Sequence, residues 1–244
     1  MTAGIHIYRS QRGLNMEEFK SLEEITTVDA RNTYFVLRNR VTGETRPKEL
    51  KDHYESVGAF TLNEAVPEKV RSHFNTAKNA LLYTWFVYGF YPVAELQALS
   101  ALELALRERI GEEGLKKLKK QKKQLGMRTF IEHAVENKWI RNEDFGAYHR
   151  APMERARMDY LVRKTEEMHA KGLDSIEIDY DEIQAPAGNT TDYLGILLDT
   201  VHEIRNIHAH GETMLYPASV WMTFEICSDF INALFNDHAG QGGQ

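Results

Sequence analysis

The chain has a single cysteine, Cys227, so it can form neither an internal disulfide nor a cysteine-based zinc site. It also lacks an excess of positive charge. Thirty Lys and Arg stand against thirty-six Asp and Glu, for a formal net charge of −6 and a pI near 5.9. A protein that coats duplex nucleic acid is ordinarily basic, so any contact with nucleic acid here has to be local. Long apolar runs are missing too. The most apolar stretch, residues 80–93, contains Tyr, Thr, Trp and Gly, is too short to span a bilayer, and reads as a buried helix. Residues 1–10 have no apolar core of the signal-peptide kind, from which a cytoplasmic address is expected. No internal repeat and no Gly-rich phosphate loop occur.

What remains is the composition of an ordinary globular protein, 42% hydrophobic and 27% charged over 244 residues. That length allows one large domain, or a domain with an appendage. Residues 1–60 differ from the rest. Residues 32–37 are a strand candidate, residues 40–46 a turn with a returning strand closed by Pro47, and residues 48–57 a short helix. A small α+β extension is expected over 1–60, a helical domain over 61–236 and a disordered tail over 237–244.

Helical periodicity dominates after residue 60. A first long helix is expected over 64–91; its aromatics suit a core more than a base-stacking platform. Pro92 opens a second helix that ends at Gly111, with Leu96, Leu99, Leu102, Leu106 and Ile110 as its apolar stripe. Shorter and longer helices follow over 128–139 and from Pro152 to about residue 170. Residues 175–180 alternate like an exposed strand, and residues 216–235 form the closing helix, with Cys227 on its buried face.

Glu103 falls inside the apolar stripe of the second helix. A carboxylate there needs a cation or hydrogen bonds, which Arg205 or Arg107 can supply, or it snorkels to solvent. Residues 115–125 hold Lys116, Lys117, Lys119, Lys120, Lys122 and Lys123 between leucines. This is the one dense positive patch: either a contact for the phosphate backbone of RNA or a solvated amphipathic face. The acids of residues 174–182 lack calcium-loop spacing, and His202, His208 and His210 lack the spacing by which two histidines share an ion on a helix. No metal and no cofactor are expected.

The stretch with the most chemistry is 191–211, a long amphipathic helix whose end reads Arg205-Asn206-Ile207-His208-Ala209-His210-Gly211. Ile196, Leu197, Thr200, Val201, Ile204 and Ile207 share one face with Tyr193. Asp199, His202, Asn206 and His210 form a polar stripe opposite, and Arg205 projects from the edge between them. His208 lies beside Val201 and Ile204, as a packed histidine would. A histidine moves a proton near neutral pH and a guanidinium neutralises phosphate charge, a combination suited to phosphodiester chemistry. The plainer reading is a set of last-turn cations that favour the helix dipole, with Gly211 as the C-cap.

This pattern resembles the signature of the HEPN domain: an Arg, often followed by Asn, then a His after four to six residues, closing a helix late in an all-helical domain. The Leu-Glu pair of Ala101-Leu102-Glu103-Leu104 is similar to one in an early helix of that family. The resemblance covers about residues 65–236 and implies an antiparallel helical bundle that pairs as a homodimer, with the two motif helices lining one cleft. In active members it implies metal-independent cleavage of RNA, with His210 as general acid/base, Arg205 on the phosphate and Asn206 positioning; from their own places in the sequence, Glu103 and His202 are expected to support the site. Such proteins serve in phage defence or in toxin–antitoxin systems, with an antitoxin or regulatory protein as partner. Members that act as toxins beside a nucleotidyltransferase carry Tyr two residues after the His; here the residue is Glu212. Other relatives are non-catalytic modules that bind RNA or nucleotides or assemble proteins. Geometry also favours a dimer, because five residues place Arg205 and His210 about 140° apart on an ideal helix. A two-fold partner then supplies the missing half of the site.

Overall fold

The structure is a computed structural model that describes residues 19–39, 42–122, 125–209 and 217–236. Among these residues the fold is mostly helical, with seven α-helices and two short strands. The strands are β1 (Val36–Arg38) and β2 (Thr45–Pro47), and the helices are α1 (Leu50–Gly58), α2 (Glu68–Tyr83), α3 (Phe90–Gln121), α4 (Met127–Glu136), α5 (Gly146–Ala170), α6 (Tyr193–Ala209) and α7 (Pro217–Phe235). Among the described residues no helix is long and apolar enough to cross a membrane. The described residues divide into two compact units, one comprising those up to 104 together with those from 205 to 228, the other those from 105 to 204 together with those from 229 to 236.

In the first unit β1 and β2 pair antiparallel, with Leu37 opposite Arg46. The expected strand at 32–37 is confined to its end, because residues Ala30–Tyr34 form a 3-10 helix. The Asp29 carboxylate caps that helix by accepting from the Arg31 amide, and the buried Asn32 side chain donates to the carbonyls of Thr84 and Trp85 at 2.8 and 3.0 Å. The same grip ends α2 early. Asp29 also accepts from the Tyr88 amide, so residues 84–89 turn around the N-terminal segment where periodicity alone predicts continuous helix. Pro47 sits at the end of β2, and α1 follows behind a capping box of Glu49 and Asp52. The core gathers Val70, Phe74, Ala77 and Leu81 of α2, Leu99 and Leu102 of α3, and Phe224 of α7. Phe224 packs its ring 5.5 Å from Phe60 and 5.8 Å from Phe74.

In the second unit α3 continues beyond a break at Gly111, whose φ of 71° and ψ of 168° leave the helical region. That matches the expected stop at this residue, and a second helical segment follows at once. The core here takes Leu106, Phe130, Ile131, Phe145, Leu197 and Ile231. Phe145 stands between Tyr193 and Phe230, with ring centroids 5.3 and 5.7 Å away. Helix α5 begins at Gly146, six residues before Pro152, so the proline lies within the helix and not at its start. Its missing N–H leaves the Tyr148 carbonyl without a helical donor, and the Asn189 side-chain amide takes that place at 2.5 Å. Residues 175–180 form no strand; they are irregular until a 3-10 turn at Tyr180–Glu182, which the Asp179 carboxylate caps.

Candidate functional site

Helix α6 carries Arg205 and Asn206 of the motif, and its first turn is satisfied from two directions. The Asp192 carboxylate accepts from the Gly195 amide at 3.0 Å, and Asn142 Oδ1 accepts from the Leu194 amide at 2.9 Å. Leu197 and Val201 are buried, while Leu194, Leu198 and Ile204 are half-buried, which is the 3.6-residue stripe of an inward face. The stripe is narrower than the sequence wheel suggests, because Ile196 is 52% exposed and Thr200 is exposed with its hydroxyl turned back to the Ile196 carbonyl. Asp199 lies on the outer side, 3.5 Å from Arg128 in an exposed ion pair.

The helical backbone runs through Arg205 and Asn206 to Ala209. The side chains of His202, Arg205, Asn206 and His208 lie outside the described residues, as does His210 entirely. Glu103 is half-buried on α3 and is engaged in an interaction, as is Arg107, which also places its guanidinium 4.9 Å from the centre of the Phe130 ring.

The lysines follow the Gly111 break. Lys116, Lys117, Lys119, Lys120 and Lys122 are all exposed, with Leu118 between them 5% exposed. Lys122 lies 3.5 Å from Glu132, and the other four make no ion pair among the described residues. The segment thus presents uncompensated positive charge from an amphipathic helix anchored on its leucines. Lys123 lies outside the described residues.

Sequence reasoning missed the buried polar groups of the first unit. Glu95 of α3 is only 2% exposed and accepts from the Thr223 hydroxyl at 2.6 Å. It shares the inner face of α3 with Ala94, Ala98 and Leu99; the expected ladder is buried at Leu99, Leu102, Leu106 and Ile110, with Leu96 half-buried, and the buried face is wider than the ladder by the position that Ala94, Glu95, Ala98, Ala101 and Ala105 occupy. Burial, with the charge of Glu95 second, pushes the nearby Cys227 thiol far above its ordinary range, which makes it an unreactive core residue. His53 of α1 is 1% exposed. Its Nε2–H donates to the Leu81 carbonyl at 3.0 Å, and Nδ1 faces Lys48 Nζ at 3.4 Å. Burial and then the Lys48 charge lower its pKa to about 4, against the hydrogen bond to Leu81. The imidazole is therefore a neutral structural group, packed between Trp85, tilted at 5.5 Å, and Trp221, edge-on at 5.6 Å. The signal that reveals both residues is a polar side chain at i±4 from apolar ones on a stripe.

Among the described residues no group of three or more His, Cys, Asp or Glu is placed to hold a metal ion. No protein-family model matches the chain, and no curated protein or solved structure matches it.

Proposed function

We propose that the protein is a metal-independent endoribonuclease of the HEPN type, acting as a homodimer. The observation that carries this reading is Arg205-Asn206 in the last part of the amphipathic helix α6, with His210 four residues on in the sequence and one further long helix, α7, after it. In the proposed reaction the RNA 2′-hydroxyl attacks the adjacent phosphate. His210 moves the protons, Arg205 offsets the charge that develops on the phosphorane, and Asn206 positions the phosphate. His202 and Glu103 support the site, the latter by aiming a guanidinium. The exposed lysines Lys116, Lys117, Lys119, Lys120 and Lys122, with Lys123 next in the sequence, draw the RNA backbone without reading its sequence. A role in phage defence or beside an antitoxin belongs to the same proposal, as do the bundle topology, the domain limits and the cytoplasmic address.

The test is cleavage of a labelled mixed-sequence RNA in EDTA by the unaltered protein, Arg205→Gln and His210→Ala. Removing the general acid/base should slow cleavage by about 10²–10⁴-fold, and a 2′-deoxy substrate should resist all three proteins. RNA that is bound but left intact by the unaltered protein instead supports a non-catalytic HEPN-type binding or assembly module.

A further inference from the structure

The second unit holds a groove that the RNA chemistry does not use. The chain from 182 to 191 is tied to α5 at both ends. At one end the Tyr160 hydroxyl donates to Glu182 Oε2 at 2.8 Å. At the other, Arg155 donates to Asn189 Oδ1 at 3.1 Å and to the Thr191 hydroxyl at 2.7 Å, beside the Asn189 bond to the carbonyl freed by Pro152. Between the ties, residues 183–188 face α5 across a groove of about 710 Å³, within the range of small-ligand sites. Small or ring-closed residues line it: Ala156 on the helix, and Pro186, Ala187 and Gly188 on the strap.

Two charged side chains in this groove are uncommitted. Asp159 and Arg163 stand one turn apart on the same face of α5, and neither makes an ion pair with the other or with any other described residue. Opposite charges at this spacing on a free helix surface commonly pair. Arg163 instead holds its guanidinium 6.0 Å from the centre of the Tyr160 ring. Arg155 and Glu182 are held in the ties by neutral partners and keep their charges, so the lining as a whole is balanced, with Arg155 and Arg163 against Asp159 and Glu182. A phosphate would meet two repelling carboxylates in this lining, whereas a zwitterion satisfies the two side chains outside the ties, Arg163 and Asp159. Asp159 and Arg163 make no ion pair, so their charged ends stand more than 4.0 Å apart; the two charges of a single amino acid are closer together than that, whereas two extended residues span about 7 Å, so a dipeptide reaches both.

We propose that this groove binds a dipeptide by its free termini, the carboxylate against the Arg163 guanidinium and the ammonium against the Asp159 carboxylate. The fork of Arg163 suits a carboxylate bidentately, and the apolar strap accommodates small side chains. The site is independent of the proposed ribonuclease.

Calorimetric titration of the full chain with alanyl-leucine tests it, with the N-acetylated and C-amidated dipeptides and adenosine monophosphate as comparators. The proposal expects saturable binding of the free dipeptide, weakened at least about tenfold in Arg163→Gln and in Asp159→Asn, a loss equal to about 1.4 kcal/mol. Acetylation should weaken binding to the unaltered protein and have little effect on Asp159→Asn. Both substitutions are near-isosteric and exposed, and unchanged circular dichroism confirms that the variants are folded. The absence of saturable binding up to about 10 mM, equal binding of the capped dipeptides, or tighter binding of the nucleotide overturns the proposal.

Discussion

His53 shows how a single titratable group sets a pH limit on this fold. Its folded pKa, lowered to about 4, lies below the ordinary value of 6.5, so the unfolded chain binds the proton more tightly. The stabilisation from this residue is therefore complete above about pH 6.5 and is lost as pH falls toward 4. Between about pH 7.5 and 5 the loss should come to roughly 2 kcal/mol, and His53→Gln, which keeps a donor for the Leu81 carbonyl, should remove that component from the denaturant midpoints. Thr223→Val tests the other buried group. It takes the hydroxyl donor from a carboxylate that is 2% exposed, and should cost about 1.5–3 kcal/mol at neutral pH. Neither residue was legible as a buried polar group, whereas Glu103 was singled out from its place among leucines. Periodicity weights large apolar residues, and the buried face of α3 extends past its leucines onto the alanines beside them, so the stripe drawn through Leu96 missed the position of Glu95.

At the level of elements, periodicity found the helices but tertiary contacts set their ends. α6 begins two residues after its expected start and α7 ends at its expected last residue, Phe235. α2 stops eight residues short because Asp29 and Asn32, from far earlier in the chain, take the backbone groups of residues 84, 85 and 88. α5 starts six residues early because Asn189 supplies the donor that Pro152 cannot. Such partners are remote in sequence and leave no local mark. Gly111 was legible, since glycine is the residue that tolerates its conformation. Gly111→Ala should cost about 1–3 kcal/mol from backbone strain alone, because no atom lies within 4 Å of the added Cβ. Gly58→Ala has the same open space without a positive φ, and should be neutral or stabilise by up to about 1 kcal/mol. Equal effects of the two substitutions on the denaturation midpoint would contradict this reading of the break.

On the scale of the whole molecule, a net charge of −6 coexists with a helical segment of exposed lysines. The pattern was legible because the run is dense in sequence, and the structure keeps it on one solvated segment beyond Gly111. If RNA tracks this face, the logarithm of affinity should fall with the logarithm of salt concentration, and Lys119→Gln with Lys120→Gln should reduce the slope by about 1.4. An unchanged slope would move the RNA elsewhere on the surface. The motif is read in the sequence from residue types at a spacing, and helix α6 carries the backbone of Arg205 and Asn206. Mass spectrometry of the RNA ends produced in EDTA tests the central proposal most directly. Attack by the 2′-hydroxyl predicts 2′,3′-cyclic phosphate ends paired with 5′-hydroxyl ends, and their loss in His210→Ala. Ends with 3′-hydroxyls and 5′-phosphates, the same products from His210→Ala, or RNA left uncut would contradict it.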